Sequence, residues 1–115
     1  MKILYVAGPY SAPGDNDKFN NIITARYIAR TLWLRGWGVI CPHLNTAWMD
    51  SPDLAWDQFM AGDLEMLSRS DAIYMLPGWE DSRGANVEHE KAKTLGMPIY
   101  YTLGDVPYEA NCRYF

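Results

Sequence analysis

Two carboxylates stand where apolar residues belong. Glu88 lies in Ser82-Arg83-Gly84-Ala85-Asn86-Val87-Glu88-His89-Glu90, which reads as a turn running into a helix. The core-facing stripe of that helix is Ala85, Glu88, Ala92 and Leu95, at spacings of three, four and three. A second helix repeats the anomaly: Trp56, Phe59, Met60, Asp63 and Leu67 fall at offsets zero, three, four, seven and eleven. A carboxylate on a buried face costs free energy unless a partner offsets it. Such groups, their proton affinities shifted, concentrate at active sites. Asp63 and Glu88 are therefore a candidate acid/base or acid/nucleophile pair. The alternative, that each carboxylate only satisfies local backbone donors or pairs with an arginine, stays open.

Other residues could complete a site. Ser82-Arg83-Gly84 opens the Glu88 helix, and a helix N-terminus presents free N–H groups and partial positive charge to an anion such as phosphate. Ser82 could add a hydroxyl or act only as N-cap, and Arg83 faces either solvent or ligand. Gly84 permits close backbone approach. Gly8-Pro9-Tyr10-Ser11 follows an apolar run, with Gly8 leaving room for a ligand and Tyr10 able to orient a sugar or a carboxylate. His43 follows Cys41-Pro42 and is expected to line a ligand or cap an element. Gly78 and the segment Trp79-Glu80-Asp81 form either a lid over the crevice or a solvated turn. His89, next to Glu88, points elsewhere. There is no Walker loop, no His-x-x-x-His and no Gly-x-Ser-x-Gly, so neither a metal nor a cofactor is expected.

The elements that must position these groups alternate between strand and helix. Residues 2–7 read as a buried strand and 39–41 as a second. Residues 72–76 and 99–101 read as the third and fourth. A first helix opens between Asp15 and Asn20, turns Ile22, Ala25, Ala29 and Leu32 inward and ends at Gly36. A second is capped by Ser51 or Asp53, with Pro52 at its start, and runs to about Arg69. The third runs from Ser82 or Arg83 to Leu95, stopped by Gly96 and Pro98. The order implies an α/β flavodoxin- or Rossmann-like three-layer sandwich on a parallel sheet of four to five strands. One domain is expected over residues 1–115, with a core at 2–101 and a tail at 102–115 that docks or forms an edge. Ligands in such sheets bind beyond the carboxyl ends of the strands at the switch point, here between strands one and three. The loops leaving those two strands carry Gly8 to Ser11 and Pro77 to Gly84.

Bulk properties narrow the partner. At 115 residues and 49% hydrophobic, the chain can pack one core. A net charge of −4 with scattered basic residues argues against a nucleic-acid polymer but not against a single nucleotide. No apolar run approaches the ~20 residues that span a bilayer, so no membrane partner is expected. Cys41 and Cys112 are far apart without a Cys-x-x-Cys, which suits a reducing cytoplasm. Five tryptophans and eight tyrosines leave room for an interface.

With these residues in place the chain resembles the nucleoside 2-deoxyribosyltransferase superfamily. The resemblance rests on a first strand ending Ala7-Gly8-Pro9-Tyr10, on Asp63-Leu64, on an Ala72-centred strand, and on Gly84-Ala85-x-x-Glu88 opening a helix that ends Leu95-Gly96-Met97-Pro98. It covers roughly residues 2–101 and is closest to the small, often phage-borne domains of the DUF4406 type. It implies that Glu88 is a nucleophile, that Asp63 moves a proton to or from the base, and that Tyr10 orients the nucleophile. It also implies a homodimer or larger homo-oligomer. Nucleoside transferases usually carry an Asp six residues before the nucleophile; here that position is Ser82, as in the related 2′-deoxynucleoside 5′-monophosphate N-glycosidases, where a serine serves the phosphate. Asp81 is one residue away, and an offset would restore the transferase pattern. The implied activity is cleavage of the N-glycosidic bond of 2′-deoxynucleoside 5′-monophosphates, or transfer of the deoxyribosyl group between bases. The alternatives are a nucleotide-binding or sensing module without turnover, and an interaction protein whose carboxylates are structural.

Overall fold

The computed structural model describes residues 1–10 and 15–109. Ser11, one of the expected loop residues, and Cys112 lie outside them. Four strands form one sheet: β1 (Ile3–Ala7), β2 (Gly38–Ile40), β3 (Ala72–Met75) and β4 (Ile99–Tyr100), in the order β2-β1-β3-β4 with every pair parallel. Strand β1 is central, flanked by β2 through Leu4↔Val39 and by β3 through Val6↔Tyr74. A central parallel strand is covered on both faces, which is why β1 and β3 are apolar almost throughout.

Side chains of a strand alternate between the two faces, and here each face has its own core. Leu4, Val6 and Tyr74 pack with Ala25, Ala29 and Leu32 of α1 (Asp15–Leu34) and with Trp37 and Val106. Tyr5, Ala7, Ile73 and Met75 pack on the other side with Leu67 of α3 (Trp56–Ser68) and with Ala85 and Ala92 of α4 (Arg83–Leu95). The result is the expected three-layer α/β sandwich. Tyr5 consequently shares a face with the two helices that carry Asp63 and Glu88.

Local chemistry moves several boundaries. Ser51 and Leu54 exchange backbone hydrogen bonds in an isolated bridge, so Pro52 and Asp53 sit in a turn and not in the helix. Helix α3 therefore starts only at Trp56, where the Gln58 side chain accepts from the Ala55 N–H at 3.1 Å. Pro42, which ends β2, opens a single helical turn, α2 (Pro42–Asn45), that the sequence did not suggest. Leu95, expected in the core, is exposed because α4 ends there; Met97 takes its place after Gly96 turns the chain at φ 67°. Of the tail, the described residues 103–109 contact the α1 side. The Trp37 indole donates to the Pro107 carbonyl at 2.9 Å, Arg35 donates to the carbonyls of Leu103 and Val106, and the Glu109 N–H donates to the Arg35 carbonyl. No helix among the described residues is long and apolar enough to cross a membrane.

Just past the end of β3, the Leu76 N–H donates to the Ala7 carbonyl at 2.7 Å. A Cβ on Gly8 would stand 2.5 Å from the Cβ of Leu76, and neither atom can move without backbone. Gly62, inside α3, faces open space. Gly8→Ala is thus expected to destabilise by about 1–3 kcal/mol through overpacking. Gly62→Ala is expected to stabilise by about 0.5–1 kcal/mol through helix propensity. Thermal melts of both variants decide; a Gly8→Ala protein melting with wild type would mean that the strand ends are looser than described.

Candidate active site

A cavity of about 810 Å³ opens beyond the carboxyl ends of β1 and β3, at the switch point. Asp63 and Glu88 both line it, 8% and 5% exposed. Helix α4 points its first turn at the cavity and places Glu88 one turn further in, above the sheet. Helix α3 crosses beside it and supplies Asp63. The helices approach closely where Gly84 meets α3: a Cβ there would lie 3.4 Å from the Met60 sulfur.

The hydroxyl of Tyr5 donates a hydrogen bond to Oε2 of Glu88. Tyr10 does not hold this position, contrary to the expectation from the first loop. It lines the cavity, but its hydroxyl accepts from the backbone N–H of Trp48 at 2.9 Å. The reason is strand parity: Tyr5 projects from β1 toward α3 and α4, whereas Tyr10 lies beyond the strand end and meets the 46–55 segment. Lys18 secures that contact, its ammonium 5.2 Å from the Tyr10 ring centroid, 5.0 Å from that of Trp48 and 3.8 Å from the Asp50 carboxylate. The signal for Tyr5 was present, since it is the only hydroxyl in the opening apolar run.

Burial sets the protonation of these groups. It pushes Glu88 up to about 8; the charge of Asp63 acts in the same direction and the Tyr5 hydrogen bond opposes it. Burial pushes Asp63 up to about 6. The Tyr5 phenol is driven far above its ordinary range by burial and by the two carboxylates, so it remains a donor. Cys41 is pushed up to about 11 by burial and stays a thiol.

Most of the expected binding residues border the same cavity. Gly8 and Pro9 form its floor with Ala7, and Gly78, Asp81, Ser82, Arg83 and Gly84 form the rim at the start of α4. Ser82 is the N-cap, its Oγ accepting from the Ala85 N–H at 3.2 Å. That leaves the hydroxyl proton for a ligand. The Arg83 guanidinium lies 4.3 Å from the Trp56 ring centroid. His43 is 3% exposed, and its Nε2–H donates to the Pro9 carbonyl at 2.6 Å; burial lowers its proton affinity, so the ring is neutral. Trp79 is the exception. Its ring stacks on His89, centroids 4.3 Å apart, and sits 6.1 Å from Tyr101, outside the cavity lining. His89 indeed points away, its Nε2 2.8 Å from the Tyr101 hydroxyl. The apolar wall beside the rim comes from Trp56, Phe59 and Met60, expected as core stripe but lining the cavity instead.

The arrangement suits attack on an electrophilic carbon next to a leaving group that needs a proton, with an aromatic wall for a flat ring and a helix N-terminus for an anion. Comparison with known proteins agrees in architecture. A search of curated proteins finds no match. Among solved structures, a 2-deoxyribosyltransferase from the psychrotolerant bacterium Bacillus psychrosaccharolyticus superimposes with a TM-score of 0.59 at 19% identity, over 84% of this chain and 69% of that one. That likeness establishes a common fold. The family described as Domain of unknown function (DUF4406) matches residues 2–101, from the start of the central strand to the end of the fourth, and the chain belongs to it.

Proposed function

We propose that the protein cleaves the N-glycosidic bond of 2′-deoxynucleoside 5′-monophosphates, or transfers their deoxyribosyl group between bases, through a covalent glycosyl-Glu88 intermediate. The observation that carries this reading is the buried pair Asp63 and Glu88, brought from two helices into one cavity with Tyr5 bonded to Glu88. The Glu88 carboxylate attacks C1′ as the bond to the base breaks, and Asp63 gives its proton to the departing nitrogen. Water, deprotonated by Asp63, then attacks C1′, returns Glu88 and releases the sugar phosphate with retained configuration. A second base in place of water completes a transfer. The 2-deoxyribosyltransferase activity named for the structural neighbour supports the reaction class. Ser82 at the start of α4 supports the phosphate, because the amides of Ala85 and Asn86 are already bonded to Ser82 while those of Arg83 and Gly84 have no partner among the described residues.

Attack requires Glu88 ionised and Asp63 protonated, one proton over two carboxyls. Without ligand Glu88 is the weaker acid, so the proton rests there at neutral pH. Positive charge developing at C1′ reverses the order by favouring ionised Glu88, and the Tyr5 hydroxyl is placed to donate to that form.

Incubation with paired deoxynucleosides and 5′-monophosphates should release free base from the monophosphates, and Glu88→Ala should lower the rate by about 10³-fold or more. Undiminished release by Glu88→Ala would remove it as nucleophile. Binding of monophosphate without any base release or exchange would favour a sensing module.

The kcat/KM profile should be bell-shaped, with limbs near 6 and 8 from the singly protonated pair. Folded Glu88 and Asp63 hold their protons more tightly than at their ordinary values of 4.5 and 3.8. The native state therefore binds more protons than the unfolded chain between about pH 4 and 8, and stability falls as pH rises. Urea midpoints of the ligand-free protein should drop from pH 5 to pH 8, and Glu88→Gln should exceed wild type at pH 8. Parallel slopes for the two proteins would contradict the assignment.

Self-association belongs to the same proposal. Besides its core stripe, α1 exposes Phe19, Ile23, Tyr27 and Leu34. Sedimentation at micromolar concentration should show a dimer or larger species; a monomer throughout would rule this out.

A further inference from the structure

The side-chain amide of Asn86 has more hydrogen-bond partners than any other side-chain donor among the described residues. Its Nδ2 lies 3.3 Å from the carbonyl oxygen of Trp79, 2.9 Å from that of Glu80 and 2.8 Å from that of Ser82. Its backbone N–H also donates to the Ser82 carbonyl, at 3.0 Å. Three carbonyls converging on one point repel each other unless a donor fills the space, and an NH₂ group with two hydrogens shared among them does so. The same turn is fixed at its start by Gly78 in the left-handed region at φ 85°, and from outside by the Trp79 ring stacked on His89.

What the turn carries gives this clasp its purpose. Asp81 and Ser82 line the cavity from it, and Arg83 and Gly84 follow directly; Asn86 itself does not line the cavity. We infer that Asn86 is a positioning residue that holds the 79–82 turn in the shape presenting the Ser82 hydroxyl and the first amides of α4 to the phosphate end of the substrate, an inference resting on the phosphate-bearing substrate proposed above. Asn86 therefore acts on substrate recognition through Ser82 and leaves the proton traffic between Asp63 and Glu88 untouched.

Asn86→Asp tests this with almost no change of shape, because it sets a carboxylate oxygen against the three carbonyls. Asn86→Ala removes the donor and adds no charge. In the full chain, hydrogen exchange should show the amides of Asp81 and Ser82, bonded to the carbonyls of Gly78 and Trp79, losing about tenfold or more of their protection in both variants. The amide of Gly96 at the far end of α4 should keep its own. KM for a deoxynucleoside 5′-monophosphate should rise about tenfold while kcat changes less than about threefold, and kcat/KM for the matching nucleoside should stay within about threefold of wild type. Unchanged protection, protection lost evenly along α4, or equal kinetic losses with both substrates would overturn the inference. If wild type releases no base, the proposed reaction falls, and calorimetric binding of the monophosphate replaces the kinetics. Binding weakened about tenfold by Asn86→Asp then upholds the role, and unchanged binding, or none in wild type, overturns it.

Discussion

A carboxylate held out of water against a central strand is the constraint around which this molecule is arranged. Glu88 could lie on the solvent face of α4 at little cost. Instead α4 turns it inward, where the Tyr5 hydroxyl and the neighbouring Asp63 meet it. Burial leaves the native state holding a proton that the unfolded chain would release, so the site is least comfortable for the fold in the pH range proposed for its chemistry. Fully burying a Leu in place of Glu88 would contribute about 1.5–3 kcal/mol of apolar transfer free energy that the acid forgoes. Ala85 and Ala92, small and fully buried on either side, let α4 sit close enough to the sheet for Tyr5 to reach the carboxylate.

The remainder of the site consists of devices that hold polar backbone in place. Ser82 caps α4, Asn86 gathers the carbonyls of the preceding turn, and His43 ties the Pro9 carbonyl to the end of β2. Each is a polar side chain bonded to main chain, so loops that could wander are fastened to elements that cannot. Behind Tyr10, Lys18 lies between two aromatic rings and a carboxylate, and Trp48 adopts a left-handed backbone at φ 62° while donating its N–H to Tyr10. A non-glycine residue in that region stores strain of order 1–3 kcal/mol, and the contacts around it hold it there.

Periodicity carried the legible part of this structure. The strand-helix alternation, the order of β1 and β3, and the carboxylates at Asp63 and Glu88 all follow from spacing, because a face that must be buried imposes a repeat on the chain. What spacing missed was set by single side chains acting at a distance. The start of α3 depends on Gln58 bonding to Ala55, not on the more obvious caps Ser51 and Asp53. The tail is held by Arg35 and Trp37, some seventy positions earlier in the chain, and no local pattern announces that pairing. The hydroxyl beside Glu88 comes from Tyr5 and not from Tyr10, because the parity of β1, and not position in the loop after it, decides which side chain meets α4. Trp56, Phe59 and Met60 misled for a related reason: an apolar stripe looks the same whether it faces a core or a cavity.

The two-sided burial of β1 bears on which changes of chain length this protein can absorb. Leu4 and Val6 enter one core and Tyr5 and Ala7 the other, so inserting or deleting one residue between Ile3 and Ala7 exchanges the two sets. Tyr5 would then face α1, among aliphatic side chains and far from any carboxylate, while a leucine or valine would press on Glu88. A change of two residues keeps the parity but breaks the pairing with both neighbouring strands. The central strand is therefore a segment in which substitutions can be graded but length cannot, and it ties the spacing of two cores and one candidate site to the same five residues.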